Sequence, residues 1–184
     1  MGFVRPSPIG FARASTLRSY ASSSIMKKTA SSMVLAEAQK AEKTIFLSHS
    51  HEDKDTALFK GLIVFLGNCG VSIWIDSEDS GLPSITNRET AQKIKGKISN
   101  LDFFIVLATD NALKSHWVPW EIGIADQCKK LQQIAIIPVV EDFETFQGNE
   151  YLQLYPRVVT VQGGEIGIFE PGKDEGKLFK NWLS

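Results

Sequence analysis

Lys43-Thr-Ile-Phe-Leu-Ser48, followed at once by His49-Ser-His-Glu-Asp53, is the stretch on which the fold turns. A short apolar run that stops at a polar cluster is the pattern of a buried strand ending in a loop. Asp53 or Asp55 can cap the helix that follows, whose apolar positions Ala57, Leu58, Leu62, Phe65 and Leu66 make a helical stripe. Gly67 and Gly70 stand where that helix stops. Outward from there the pattern repeats. Val71–Asp76 reads as a second strand, and Ser77–Asn87, rich in Ser, Gly, Pro and acid, as an exposed loop. Arg88–Asn100 is a polar helix with Ala91, Ile94 and Ile98 turned inward. Leu101–Ala108 is an apolar third strand, Ile134–Val140 a fourth and Arg157–Val161 a shorter fifth. Pro138 suits the end or the edge of a strand. Lys173–Leu183, with Leu178, Phe179, Trp182 and Leu183 apolar, reads as a closing helix.

Continuous apolar strands alternating with helices predict an α/β fold with a parallel sheet covered on both faces and right-handed crossovers. Five strands fit the flavodoxin-like order 2-1-3-4-5. The ligand crevice of such a sheet lies outside the carboxyl ends of the strands, between strands 1 and 3. Three polar segments meet there: Ser48–Asp53, Ser77–Asn87 and Thr109–Glu121.

The third segment carries a single acid in an apolar and aromatic run, Ser115-His-Trp-Val-Pro-Trp-Glu-Ile-Gly-Ile-Ala125. Pro119 is tolerated in a first helical turn, so a helix is expected from Trp117 or Val118 to about Lys130. Trp117 and Glu121 are then one turn apart on one face. An indole beside a carboxylate offers a ligand a stacking surface and a hydrogen-bond acceptor. The plainer alternative is that Glu121 complements the helix dipole and that Trp117 and Trp120 are core.

The chain of 184 residues is 43% hydrophobic and 22% charged, the composition of a soluble globular protein. Its net charge of −1 gives no reason to expect nucleic acid or an anionic membrane as partner. No apolar run approaches the ~20 residues of a membrane span. Two distant cysteines, Cys69 and Cys128, point to a reducing, cytoplasmic compartment without disulfides. His49, His51 and His116 form no zinc pattern. Residues 1–42 read as a separate arm before a domain at 43–184. Met1–Ala36 has no Asp or Glu, is basic through Arg5, Arg13, Arg18, Lys27 and Lys28, and is rich in Ser and Ala. That composition overlaps with a transit peptide and also fits a solvated or partner-binding arm, with a helix expected over Thr29–Glu42. Residues 1–28 hold too little apolar content to offset their ordering entropy, so they are expected to be dispensable for folding.

Three elements in order resemble a Toll/interleukin-1 receptor (TIR) domain over about Lys43 to Lys180. Ile45-Phe-Leu-Ser-His-Ser-His-Glu-Asp53 is similar to the opening strand and loop of bacterial TIR domains. Trp74-Ile-Asp76 matches the aromatic-rich strand that closes on Asp. Ser115-x-Trp117-x-x-x-Glu121 has the Trp that NAD-cleaving members keep four residues before the catalytic Glu. Where the family's loop after strand 2 often reads Pro-Gly, this chain has Gly81-Leu82-Pro83.

The resemblance implies cleavage of the nicotinamide–ribose bond of NAD, by hydrolysis or by cyclisation of the ADP-ribose part. Glu121 is then the catalytic residue, stabilising positive charge that develops on the ribose. Trp117 packs on the nicotinamide riboside. Ser48, His49, Ser50 and His51 line the end of strand 1 and contact phosphate or ribose, with Asp76 at the end of strand 2 as a further substrate-side candidate. No G-x-G-x-x-G spacing occurs among Gly61, Gly67 and Gly70, which disfavours NAD as a redox cofactor and leaves it open as a substrate. No cofactor or metal is expected. The expected partners are NAD and other TIR domains, with the Ser77–Asn87 loop near the self-contact. A stand-alone TIR protein resembles those of bacterial antiphage systems such as Thoeris, whose cyclic ADP-ribose-type signal reaches a separate effector; interference with host TIR signalling is the other context. Two other functions compete. A non-catalytic TIR adaptor acting by homotypic assembly releases no nicotinamide from NAD. A nucleoside N-glycosyl transferase-like enzyme uses its Glu as a covalent nucleophile and can be trapped as an adduct.

Overall fold

The structure, a computed structural model, describes residues 4, 12–22, 43–76, 88–140, 150–161 and 164–184. Its strands are β1 (Ala12–Arg13), β2 (Lys43–Ser48), β3 (Val71–Trp74), β4 (Phe103–Ala108), β5 (Ile134–Val140), β6 (Arg157–Thr160), β7 (Ile166–Phe169) and β8 (Lys177–Leu178). The helices are α1 (Ala14–Ser22), α2 (Ala57–Asn68), α3 (Arg88–Asn100), α4 (Asp110–Lys114), α5 (Trp117–Cys128) and α6 (Phe179–Trp182).

The sheet runs β3-β2-β4-β5-β6-β7-β8, with β1 paired to β5 off that path. Its first five strands are parallel and stand in the order expected from the sequence. Two antiparallel strands, β7 and β8, extend it. They escape a periodicity argument because Ile166-Gly-Ile-Phe169 is short and interrupted by glycine. The β6–β7 connection closes with Gly164 at φ +81°, a backbone angle that suits glycine. The predicted C-terminal helix shrinks accordingly: Lys177–Leu178 is strand and only Phe179–Trp182 is helical.

Alternation along the strands divides the core into two layers. Ile45, Leu47, Ile105, Leu107, Ala135 and Ile137 face one side, against Leu62 and Leu66 of α2 and Phe179 of α6. Phe46, Phe104, Val106, Ala108, Ile134 and Ile136 face the other, against Ile94 and Ile98 of α3 and Val118, Ile122 and Ala125 of α5. Both faces are covered, which is why these strands read as unbroken apolar runs. Pro138 is in register with Ala108, the last residue of β4, so it sits where that ladder ends.

The first layer corrects the expectation for the arm. Ala14 and Leu17 of α1 are 0% and 1% exposed and belong to the same core cluster as α2. The helices approach so closely that a Cβ on Gly61 would lie 2.0 Å from the Leu17 carbonyl oxygen. β1 pairs parallel to β5 at Val139 and Val140, beyond the Ile136–Arg157 pairing of β6. A Ser/Ala-rich helix carries little apolar surface, but small residues allow close backbone approach, and one well-placed Leu supplies the anchor. Residues 12–22 are therefore packed structure and not a solvated lead-in. The helix expected over Thr29–Glu42 and the Ser77–Asn87 loop lie outside the described residues. No helix among the described residues is long and apolar enough to cross a membrane.

Candidate functional site

The carboxyl ends of β2, β3 and β4 open onto a cavity of about 350 Å³, within the range of small-molecule sites. Glu121 lines its floor, and a side chain from another element supports it from beneath. Ser48, the last residue of β2, donates its hydroxyl to Glu121 Oε2 at 2.5 Å. Glu121 is 3% exposed and lies in the second turn of α5, past the first-turn amides that a dipole-complementing acid would face. Burial is the main force that pushes its carboxyl up to about 8; the negative charge of Asp76 adds to it and the Ser48 hydroxyl opposes it.

α5 is aimed by its own N-terminus. Ser115 Oγ accepts from the amides of Trp117 and Val118 at 3.1 and 3.4 Å, and Pro119 occupies the first turn as expected. Trp117 is 38% exposed and meets Trp120 edge-to-face at 5.2 Å. The stack holds Trp117 in the wall of the cavity while Trp120 packs on the second core layer.

The loop after β2 supplies the facing wall. Ser50 caps the short 3₁₀ turn His51–Asp53 by accepting from the Glu52 amide at 3.3 Å. His49 is 5% exposed, with its ring 4.6 Å from that of Phe59 on α2. Its Nδ1 lies 3.4 Å from the Leu47 carbonyl, while its buried Nε2 has no hydrogen-bond partner among the described residues. Burial holds the His49 imidazole below its ordinary pKa. A neutral ring with Nδ1–H turned to Leu47 leaves the buried Nε2 as an unused acceptor at the edge of the cavity. His51 is largely exposed, and its Nε2 sits 3.1 Å from Asp76 Oδ2, across from the end of β3.

Asp53 locks the two walls together. It is 3% exposed and accepts from Thr109 Oγ1 at 2.5 Å and from Asn111 Nδ2 at 2.8 Å. The loops after β2 and β4 are thereby tied across the mouth of the sheet. Thr109 in turn caps α4 by accepting from the Ala112 amide at 3.1 Å.

Of the residues singled out from the sequence, His49, Ser50, His51, Asp76, Trp117 and Glu121 all line this one cavity, and Ser48 supports its floor. Asn111, Lys114, Ser115 and His116 line it as well and were not singled out. Their signal was the unassigned α4: Thr109-Asp-Asn111 is a helix N-terminal signature directly after a strand. Lys114 brings a cation to a wall otherwise rich in acceptors.

Comparison with known proteins agrees with this architecture. A family model described as TIR domain matches residues 45–161. The chain is 34% identical over 148 residues to a probable 3' cyclic ADP-D-ribose synthase ThsB' of Bacillus cereus (strain MSX-D12), an alignment spanning 76% of this chain and 74% of that protein. It is 28% identical over 89 residues to a putative cyclic ADP-D-ribose synthase TIR2 of Cytobacillus dafuensis, spanning 47% of this chain and 23% of that protein. With the strand order, the crevice and these matches in agreement, the chain belongs to the TIR domain family.

Proposed function

We propose that this protein cleaves the nicotinamide–ribose bond of NAD and releases nicotinamide with ADP-ribose or a cyclic ADP-ribose isomer, as a signal in antiphage immunity. The names of the similar proteins support the reaction class. The observation that carries it is Glu121: a carboxyl 3% exposed, at the floor of a cavity and one helical turn from an accessible indole. A group whose ionisation is opposed by burial is poorly explained as a stabilising feature and well explained as a functional one.

In the free protein a carboxyl raised to about 8 is largely protonated at neutral pH. The nicotinamide riboside end of NAD is cationic. Its entry opposes the burial effect, favours the carboxylate and drives the proton off. The anion then faces a ribose on which positive charge grows as the C1′–N bond lengthens. Nicotinamide leaves neutral, so no strong acid is needed at the leaving group. Trp117 stacks on the nicotinamide riboside, the His49 Nε2 acceptor takes a hydroxyl or amide hydrogen, and Lys114 meets the pyrophosphate. NAD is substrate in this scheme, no cofactor takes part, and other TIR domains are the macromolecular partners.

The test is NAD consumption by wild type and Glu121→Gln, with products resolved by mass spectrometry. The variant keeps shape and loses charge, so turnover should fall on the order of a hundredfold or more with a much smaller change in KM. An active wild type whose Glu121→Gln variant keeps full turnover would falsify the assignment.

A further inference from the structure

Resting on that reading, we infer that His51, oriented by Asp76, is the general base that takes the proton from the hydroxyl nucleophile attacking the ribose. The chemistry requires such an acceptor. Cleavage sends the C1′–N electron pair to nicotinamide. A lone pair of water, or of a sugar hydroxyl of the same dinucleotide, then forms the new C1′–O bond. The attacking oxygen must lose one proton to become neutral, and that proton needs a place to go.

Among the titratable groups lining the cavity, Asp76 is engaged by His51, and Glu52 and His116 have no side-chain partner among the described residues to orient them; three others could receive it. Glu121 lies at the floor with Oε2 engaged by the Ser48 hydroxyl, and its charge is required opposite the ribosyl cation until the new bond has formed. His49 is buried against Phe59, so a second proton there would create a cation with almost no access to solvent. His51 lines the same cavity with its side chain 71% exposed, so it is open to water and can pass its proton on to solvent. Its Nε2 is 3.1 Å from Asp76 Oδ2. An Nε2–H donated to that carboxylate fixes the tautomer and leaves Nδ1 as the lone-pair acceptor, with no other hydrogen bond among the described residues. When Nδ1 takes the proton, the imidazolium forms opposite the Asp76 carboxylate. This is the carboxylate–imidazole logic of general-base catalysis, with the carboxylate orienting the ring and staying ionised. His51 is the catalytic residue of this step and Asp76 its positioning residue.

A nucleophile with no proton to lose separates this role from binding or folding. A pyridine base such as 3-acetylpyridine can replace nicotinamide on the ribose through its ring nitrogen, and that exchange needs no general base. Wild type, His51→Ala and Asp76→Asn would be incubated with NAD and 3-acetylpyridine, measuring the exchanged dinucleotide against ADP-ribose and cyclic products. His51→Ala should lower the ratio of oxygen-attack products to exchange product about 100-fold, the size of a general-base contribution. Asp76→Asn should lower it in the same direction by less. Added imidazole should restore hydrolysis in His51→Ala, and where the wild type accepts no pyridine base, this rescue decides alone. An unchanged ratio, or no rescue in that case, assigns the proton to another group and overturns the inference. A wild type that neither releases nicotinamide nor exchanges its base overturns the proposed function itself.

Discussion

Glu121 is a residue whose location and whose charge oppose each other, and Ser48 mediates between them. The Ser48 hydroxyl is the group that holds the Glu121 pKa down, against burial and Asp76. If the carboxylate is the working form, kcat/KM should rise with pH to an inflection near 8, because that parameter reports the free protein. The inflection in kcat should lie lower, since bound cationic substrate favours the anion. Ser48→Ala removes a hydrogen bond to the charged form, so its kcat/KM inflection should move to higher pH. Parallel pH–rate profiles of the two proteins check this. An inflection that moves down, or no inflection, would show that the hydroxyl does not set the carboxyl's charge. At this scale the residue types were readable from sequence, and their electrostatics were not.

At the scale of elements, the α1–α2 contact is what a linear reading missed. Amphipathic stripes are measured against an average helix, and α1 has few apolar residues to show. What seats it is a glycine forty-four positions further on, Gly61, whose missing side chain admits the Leu17 carbonyl. Leu17→Ala should cost about 2–5 kcal/mol, as large-to-small changes in a core do. Deleting residues 1–22 should lower the thermal midpoint clearly, where an unpacked arm would leave it unmoved. Thermal melts of wild type, Leu17→Ala and the deletion decide between the two. Asp53 plays a comparable joining role at the carboxyl ends of β2 and β4, bonding residues fifty-six and fifty-eight positions further along the chain. Neither contact has a local signature.

For the whole molecule, the buried carboxyl couples stability to pH. The Glu121 pKa is about 8 in the folded chain and near the ordinary value of 4.5 when unfolded. A folded value raised above the unfolded one means that its contribution to stability is fully present below pH 4.5. That contribution is lost as pH rises through 8, because the unfolded chain releases the proton first. Glu121→Gln has no proton to release. Relative to wild type its thermal midpoint should therefore gain steadily from pH 4.5 to about 8 and level off above. A midpoint difference that is constant across this range would show that the carboxyl is solvated in solution. A stabilised variant with lost turnover is the pairing expected of a functional site, where a group is kept against the interest of the fold.

By itself the sequence determined the sheet: Lys43–Ser48, Ile134–Val140 and Arg88–Asn100 stand with the boundaries read from their patterns, and the parallel order follows. The reason is that buried parallel strands and a polar helix with one inward stripe are local, repeated signals with a fixed period. Strand order and the switch-point rule then placed the crevice, and so Glu121, Trp117 and the loop after β2, in one region. Tertiary structure alone decided the rest. It put Ser48 2.5 Å from Glu121 across seventy-three residues, left His49 Nε2 without a partner, and set His51 against Asp76. It also seated α1 on Gly61 and added β7 and β8 to the edge. These are pairings between distant residues, fixed by how two surfaces meet. Periodicity describes one surface at a time and carries no information about the other.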